Sequence, residues 1–184
     1  TPESMWNYEL GYTHYLLDRT FKTSFTAFFI DGENAIQLVR NTQPMPPFKF
    51  QNSGTFQHWG FEWEAAYRPR PNLLVEASYA YLHTDVPRLG APAHQLYLGA
   101  NYTLNRFDFS LNAQGIAGLY TSVAADNHTR EHYVMLNARA NIRAGRVLSV
   151  FVSGNNLLNW DYEINSGYPM PGLSVLGGLV VRWN

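Results

Sequence analysis

The chain has 184 residues, room for a sizeable core, and a formal net charge of -1 from 13 Lys+Arg and 14 Asp+Glu. No basic stripe is present to release counterions from a phosphate backbone, which excludes nucleic acid as a partner. Cysteine is absent, which excludes thiolate metal sites and disulfides, and no run nears the roughly 20 apolar residues of a spanning helix.

Hydrophobic residues make up 46% of the chain and charged ones 15%, with twelve Tyr, eleven Phe and five Trp. Tyr and Trp suit surfaces that are apolar on one side and wet on the other. The N-terminus, Thr1-Pro2-Glu3-Ser4, shows no basic region followed by an apolar run, so an export signal is expected to be removed or upstream.

Taken in chain order, period-two patterning predicts nine strands: 4–16, 20–31 (extendable to 39), 55–68, 72–84, 93–105, 107–119, 132–144, 147–155 and 172–183. The alternation is clearest in 55–68. Trp59, Phe61, Trp63, Ala65 and Tyr67 face one way there, and His58, Gly60, Glu62, Glu64 and Arg68 the other. Most of these runs exceed the 5–6 residues usual in soluble strands and match the roughly 9–11 tilted residues that cross a bilayer.

Connections alternate between tight (17–19, 69–71, 105–106, 145–146) and extended (40–54, 85–92, 120–131, 156–171). That is the asymmetry of an outer-membrane barrel, with short periplasmic turns and long external loops. The fold class expected is therefore all-β, an antiparallel transmembrane β-barrel segment. Single-chain bacterial barrels have an even number of strands, so the odd count implies that the barrel starts before residue 1. The structural alternatives are a complete small barrel and a β-sandwich, either serving adhesion or binding.

Two stretches resemble the TonB-dependent receptor family. The first is Pro2-Glu3-Ser4-Met5-Trp6-Asn7-Tyr8-Glu9-Leu10-Gly11-Tyr12, followed by Phe25-Thr26-Ala27-Phe28-Phe29-Ile30-Asp31-Gly32. The second is Asn155-Asn156-Leu157-Leu158-Asn159-Trp160-Asp161-Tyr162-Glu163, leading to Gly167-Tyr168-Pro169-Met170-Pro171-Gly172 and a closing strand, an ending similar to that of the vitamin B12 receptor branch and of haem and siderophore receptors. The chain departs from the family at Trp160, at Leu173 after Gly172, and in its last residues, Arg182-Trp183-Asn184.

The resemblance implies that residues 1–184 are the C-terminal part of an outer-membrane barrel, without the N-terminal plug and the upstream strands. It also implies a bacterial outer-membrane location, a lipid bilayer as solvent, and TonB engaged indirectly through the plug. The intact receptor would import a scarce nutrient, an iron chelate, haem or a cobalamin.

Candidate ligand contacts lie near the external loops. His83 and Asp85 end a strand. Tyr120 precedes the segment Asp126-Asn127-His128-Thr129-Arg130-Glu131-His132, where His128 and His132 stand four apart. Such a pair could coordinate a metal, but without a helix to place both on one face a solvated polar loop is favoured, and no metal is assigned. Trp160, Tyr162 and Tyr168 could stack on a flat ligand or belong to an aromatic girdle, the reading preferred.

The expected lumen- and plug-facing set is Glu62, Glu64, Gln95, Asn101, Asn112, Gln114, Asn137, Arg139 and Arg143. Glu62 and Glu64 share a face but cannot flank a bond from opposite sides as glycosidase carboxylates do, so pairing with Arg139, Arg143 or the plug is expected. No nucleophile elbow, phosphate loop or zinc motif occurs. The chain is read as non-catalytic, with no cofactor.

Overall fold

The computed structural model describes residues 2–40, 48–52, 54–124 and 127–182; Asp126, Trp183 and Asn184 fall outside these. Its strands are β1 (Ser4–Leu16), β2 (Phe21–Glu33), β3 (Ile36–Arg40), β4 (Phe48–Asn52), β5 (Thr55–Arg70), β6 (Leu73–Thr84) and β7 (His94–Leu104). They continue with β8 (Phe107–Ala124), β9 (Asn127–Arg143), β10 (Leu148–Asn155), β11 (Glu163–Asn165), β12 (Tyr168–Pro169) and β13 (Ser174–Val181).

Nine of these form one antiparallel meander in the order β1-β2-β5-β6-β7-β8-β9-β10-β13, while β3–β4 and β11–β12 are separate small hairpins. All nine expected strands are present. Among the described residues β1 pairs only with β2 and β13 only with β10, so the sheet is an open wall, neither a closed small barrel nor a sandwich.

Three boundaries correct the sequence reading. The second strand stops at Glu33, where Asn34 takes a positive φ of 58°, and Ile36–Arg40 turns into its own hairpin. The connection 120–131 is not an extended loop, because β8 and β9 run on to Ala124 and Asn127 as a tall hairpin. The 156–171 connection contains β11–β12. In the last two cases polar residues with Gly and Asn read as loop, yet each segment has a partner strand to satisfy its backbone.

Register sorts the side chains onto two faces. One apolar row runs Phe25, Trp63, Tyr79, Leu96, Gly115, Val134, and the next runs Ala27, Phe61, Tyr81, His94, Ala117, His132. Aromatic pairs knit this face: Phe25–Phe61 at 5.6 Å, Trp59–Tyr81 at 5.5 Å and Phe61–Tyr79 at 5.7 Å between ring centroids. The Trp63 indole N–H, which needs a partner wherever water is absent, donates to Thr23 Oγ1 at 3.0 Å.

At the turn end, the β1–β2 connection holds Leu17, Asp18 and Arg19 at positive φ, closed by Thr20 N donating to the Leu17 carbonyl at 3.0 Å. At the opposite, loop end, β8 carries bulges at Ala117/Leu119 and Tyr120/Ser122. Gly118 supplies the first with φ +70°, and a Cβ there would lie 2.9 Å from the Ala93 side chain.

Candidate functional site

The polar face is where this wall can meet a solute, and the register places all nine expected residues on it. Glu62 lies in line with Ala80, Gln95 and Ile116; Glu64 with Ser78, Tyr97 and Gln114; Asn101 with Ser110 and Arg139; and Asn112 with Asn137. Arg143 follows at the turn end.

Two electrostatic regions divide this face. Toward β9 and β10, Asn137 Nδ2 donates to Asn112 Oδ1 at 2.9 Å, and the Arg139 guanidinium stacks 3.8 Å from the Phe151 ring centroid. Arg143 Nη2 donates to the Asn105 carbonyl at 2.7 Å and lies 3.5 Å from Asp108 Oδ1. Toward β5 and β6, Glu62, Glu64, Ser78, Gln95, Tyr97 and Gln114 line an open polar recess of about 380 Å³.

The expected pairing of Glu62 and Glu64 with Arg139 and Arg143 is not what the structure has. Four strand spacings, about 19 Å, separate β5 from β9, and the two arginines are engaged locally. Glu64 Oε2 takes a proton donor only from Ser24 Oγ, at 3.4 Å, among the hydrogen bonds of the described residues. Among the described residues lining the recess and the adjoining cavity, Lys22 is the one cation, set beside Glu64 and Glu76.

Higher on this face polarity gives way to a small buried cluster of Ile116, Leu119 and Tyr133, against which Met135 and Tyr162 pack. The Tyr133 and Tyr162 rings stand 4.2 Å apart, so the 156–171 connection folds over the polar-face side of β8 and β9. Ser166 N donates to the Thr121 carbonyl at 3.0 Å, and Gly90 N to the neighbouring Tyr120 carbonyl at 3.4 Å. Two loops therefore seat on adjacent peptide units of one bulged strand.

The eight candidate ligand residues are not brought together. Tyr162 sits on the polar face; Asp85 stands apart at the end of β6, where its Oδ2 accepts the Gln57 N–H at 2.9 Å and its Oδ1 lies 3.8 Å from His58 Nδ1. His83 lies on the apolar face, stacked on Trp59 at 5.1 Å. Tyr120, His128 and His132 are on that same face, and Trp160 borders a groove there with Leu96, Gly115 and Val134. Tyr168 is 73% exposed.

His128 and His132 do share a face, because a strand repeats every second residue, but four residues along a strand span about 13 Å, too far for one ion. No group of metal-holding residues occurs among the described ones.

Two sets of residues were missed by the sequence reading. His58 is buried at 8% exposure, its Nδ1 2.7 Å from the Gln57 carbonyl and its Nε2 without a partner among the described residues. Beside it Phe56 lies over Gly32 and under the Arg88 guanidinium, 4.9 Å from the ring centroid. Asn156 and Asn159 form the second set, with φ of 49° and 50°.

The Asn156 amide group bonds the Trp160 N–H and carbonyl and the Pro171 carbonyl, and its own N–H donates to Asn137 Oδ1 at 2.9 Å. Asn159 Oδ1 accepts the Leu173 N–H at 2.8 Å. Repeated Asn in a connection is a signal for left-handed backbone and local side-chain bonding, and it was available in the sequence.

Comparison with known proteins gives this wall its context. Solved structures with the same fold include the Pseudomonas aeruginosa receptor FpvA bound to a heterologous pyoverdine, at 20% identity and TM-score 0.77, covering 98% of this chain and 27% of that one. The ferric-catecholate import receptor Fiu of Escherichia coli K12 matches at 21% identity and TM-score 0.74, covering 98% and 28%. The copper transporter OprC matches at 16% identity and TM-score 0.79, covering 98% and 32%.

The chain thus spans about a third or less of the length of these proteins. A search of curated proteins finds no match. Residues 1–157 match the family described as TonB dependent receptor-like, beta-barrel. With nine antiparallel strands, one oily face and one polar face, the chain belongs to the TonB-dependent receptor β-barrel family.

Proposed function

We propose that this chain forms part of the wall and loop rim of a receptor that imports a scarce nutrient across a bacterial outer membrane, and that it has no catalytic role. The carrying observation is the continuous division of the nine-stranded sheet into an oily face, fit for lipid, and a polar face, fit for a lumen. The free edges of β1 and β13 cannot stay unpaired in lipid, so further strands of the intact receptor, of which this is the C-terminal part, complete the closure.

The acidic strip at Glu62, Glu64 and Glu76 is the surface proposed to meet basic residues of a plug, through which TonB would act. The ligand-facing rim is proposed to be Tyr162 and Asp85, joined by Arg88, which lies over the Phe56 ring on the loop end. The nutrient is assigned to the iron-chelate, haem or cobalamin class, in keeping with its likeness to a pyoverdine receptor, a ferric-catecholate import receptor and an iron transporter.

The test is growth of a strain lacking the intact receptor on a ferric chelate, haem or cobalamin as sole source, with the receptor restored and its membrane fraction scored. Restored growth on one of these, with the receptor in the outer-membrane fraction, is expected. Wild-type growth on all three without the receptor, or a receptor found in another fraction, overturns the reading.

A further inference from the structure

We propose a binding site on the apolar face for an anionic, phosphorylated lipid of the outer leaflet, seated in a notch of the aromatic belt between His94 and His132. The proposal rests on the outer-membrane reading above.

In both apolar rows β5 and β6 present large rings at this level, whereas β8 beyond them presents only Gly115 and Ala117. Phe61 and Tyr81 give way after His94 to Ala117, and Trp63 and Tyr79 give way after Leu96 to Gly115 and Val134. The result is an apolar groove of about 330 Å³, floored by Leu96, Gly115 and Val134 and walled by His94, His132 and Trp160. A girdle that merely marks the interface has no need of such a gap.

Charge points to the occupant. The apolar-face positions of β6 to β9 carry no carboxylate among the described residues, and their ionisable groups besides tyrosine are His83, His94, His128, Arg130 and His132, all at the loop end. Two strand spacings, about 9.5 Å, separate the strands of His94 and His132, with Ala117 between them.

Both rings are oriented from behind. The Gly118 N–H donates to His132 Nδ1 at 3.1 Å, which leaves Nε2 as that ring's donor, and the Tyr79 hydroxyl lies 2.7 Å from His94 Nδ1. Arg130 is held over the Tyr120 ring at 4.4 Å and bonds the Tyr120 hydroxyl. Imidazole and guanidinium donors above an acyl-sized groove match a phosphate above a hydrocarbon tail.

The experiment uses the intact receptor in nanodiscs of zwitterionic phospholipid doped with a phosphorylated, multiply acylated lipid or its dephosphorylated counterpart, with retention read by native mass spectrometry. Preference for the phosphorylated lipid is expected, falling about fivefold in Arg130→Gln and in His132→Gln. Filling the groove with Gly115→Leu and Ala117→Leu abolishes retention while the unboiled protein keeps the gel mobility of a folded barrel.

Equal retention of both lipids, displacement by inorganic phosphate alone, or unchanged retention in the filled variant overturns the site. These outcomes are separable from the parent reading, which fails only if the receptor is absent from the outer-membrane fraction or dispensable for growth.

Discussion

Strand β1 and the β8–β9 hairpin are written in the same two-faced code, yet different things hold them in place. Every side chain of β1 from Ser4 to Leu16 is exposed, and the strand has one neighbour. The β8–β9 hairpin has a neighbour on each side, two bulges, a buried cluster and two loops seated on it. Period-two alternation makes a strand; neighbours and polar-face packing make it stable.

Truncating the cluster should break this contrast most. Tyr133→Ala, at 7% exposure between Ile116, Leu119 and Tyr162, is expected to destabilise the intact receptor by about 3 kcal/mol, read by chemical unfolding in detergent. A loss under about 1 kcal/mol, the scale of a surface substitution, would show that the cluster is not a core.

The connection comes next. Asn156→Ala removes the amide that ties Trp160 and Pro171 and replaces a residue at φ 49°, so about 2 kcal/mol and faster proteolysis within 156–171 are expected. Asn156→Gly should recover only the backbone part, and equal stability of Gly and wild type would discount the side-chain bonds.

A double-mutant cycle on Arg139 and Phe151 should return about 1 kcal/mol of coupling. Additive effects would mean the guanidinium merely overlies the ring. Smallest of all, Tyr8→Ala in β1 should cost no more than about 0.5 kcal/mol in this chain and more in the intact receptor, if a further strand pairs its free edge there as proposed. Equal costs in the two settings would remove edge pairing as the reason for the difference.

The strands and their facing were legible because side-chain period and strand pairing obey one rule. Trp59, Phe61 and Trp63 had to share a face with Tyr79 and Tyr81 once the turns at 69–71 were recognised. Less legible was anything set by a partner far along the chain. Tyr120 and Arg130 read as loop because polarity was taken for the absence of a neighbour, when each is the other's partner across the hairpin.

The polar-face set was recoverable from parity alone, but which of its charges meet was not. Glu64 and Arg139 sit on one face, and only the strand order shows how far apart they lie. His58 was placed on the correct side by alternation, whereas its burial under the Asp85 and Arg88 segment depends on a loop no local pattern describes.

The length of β8 has a consequence of its own. Eighteen residues at about 3.3 Å each, tilted about 40°, rise about 45 Å along the membrane normal, against an apolar band of about 25 Å. Some 20 Å of this hairpin would therefore stand clear of the hydrocarbon, as a parapet on the cell surface. A small epitope grafted beside Val123 would be within reach of antibody on living cells, a direct measure of how high the wall stands.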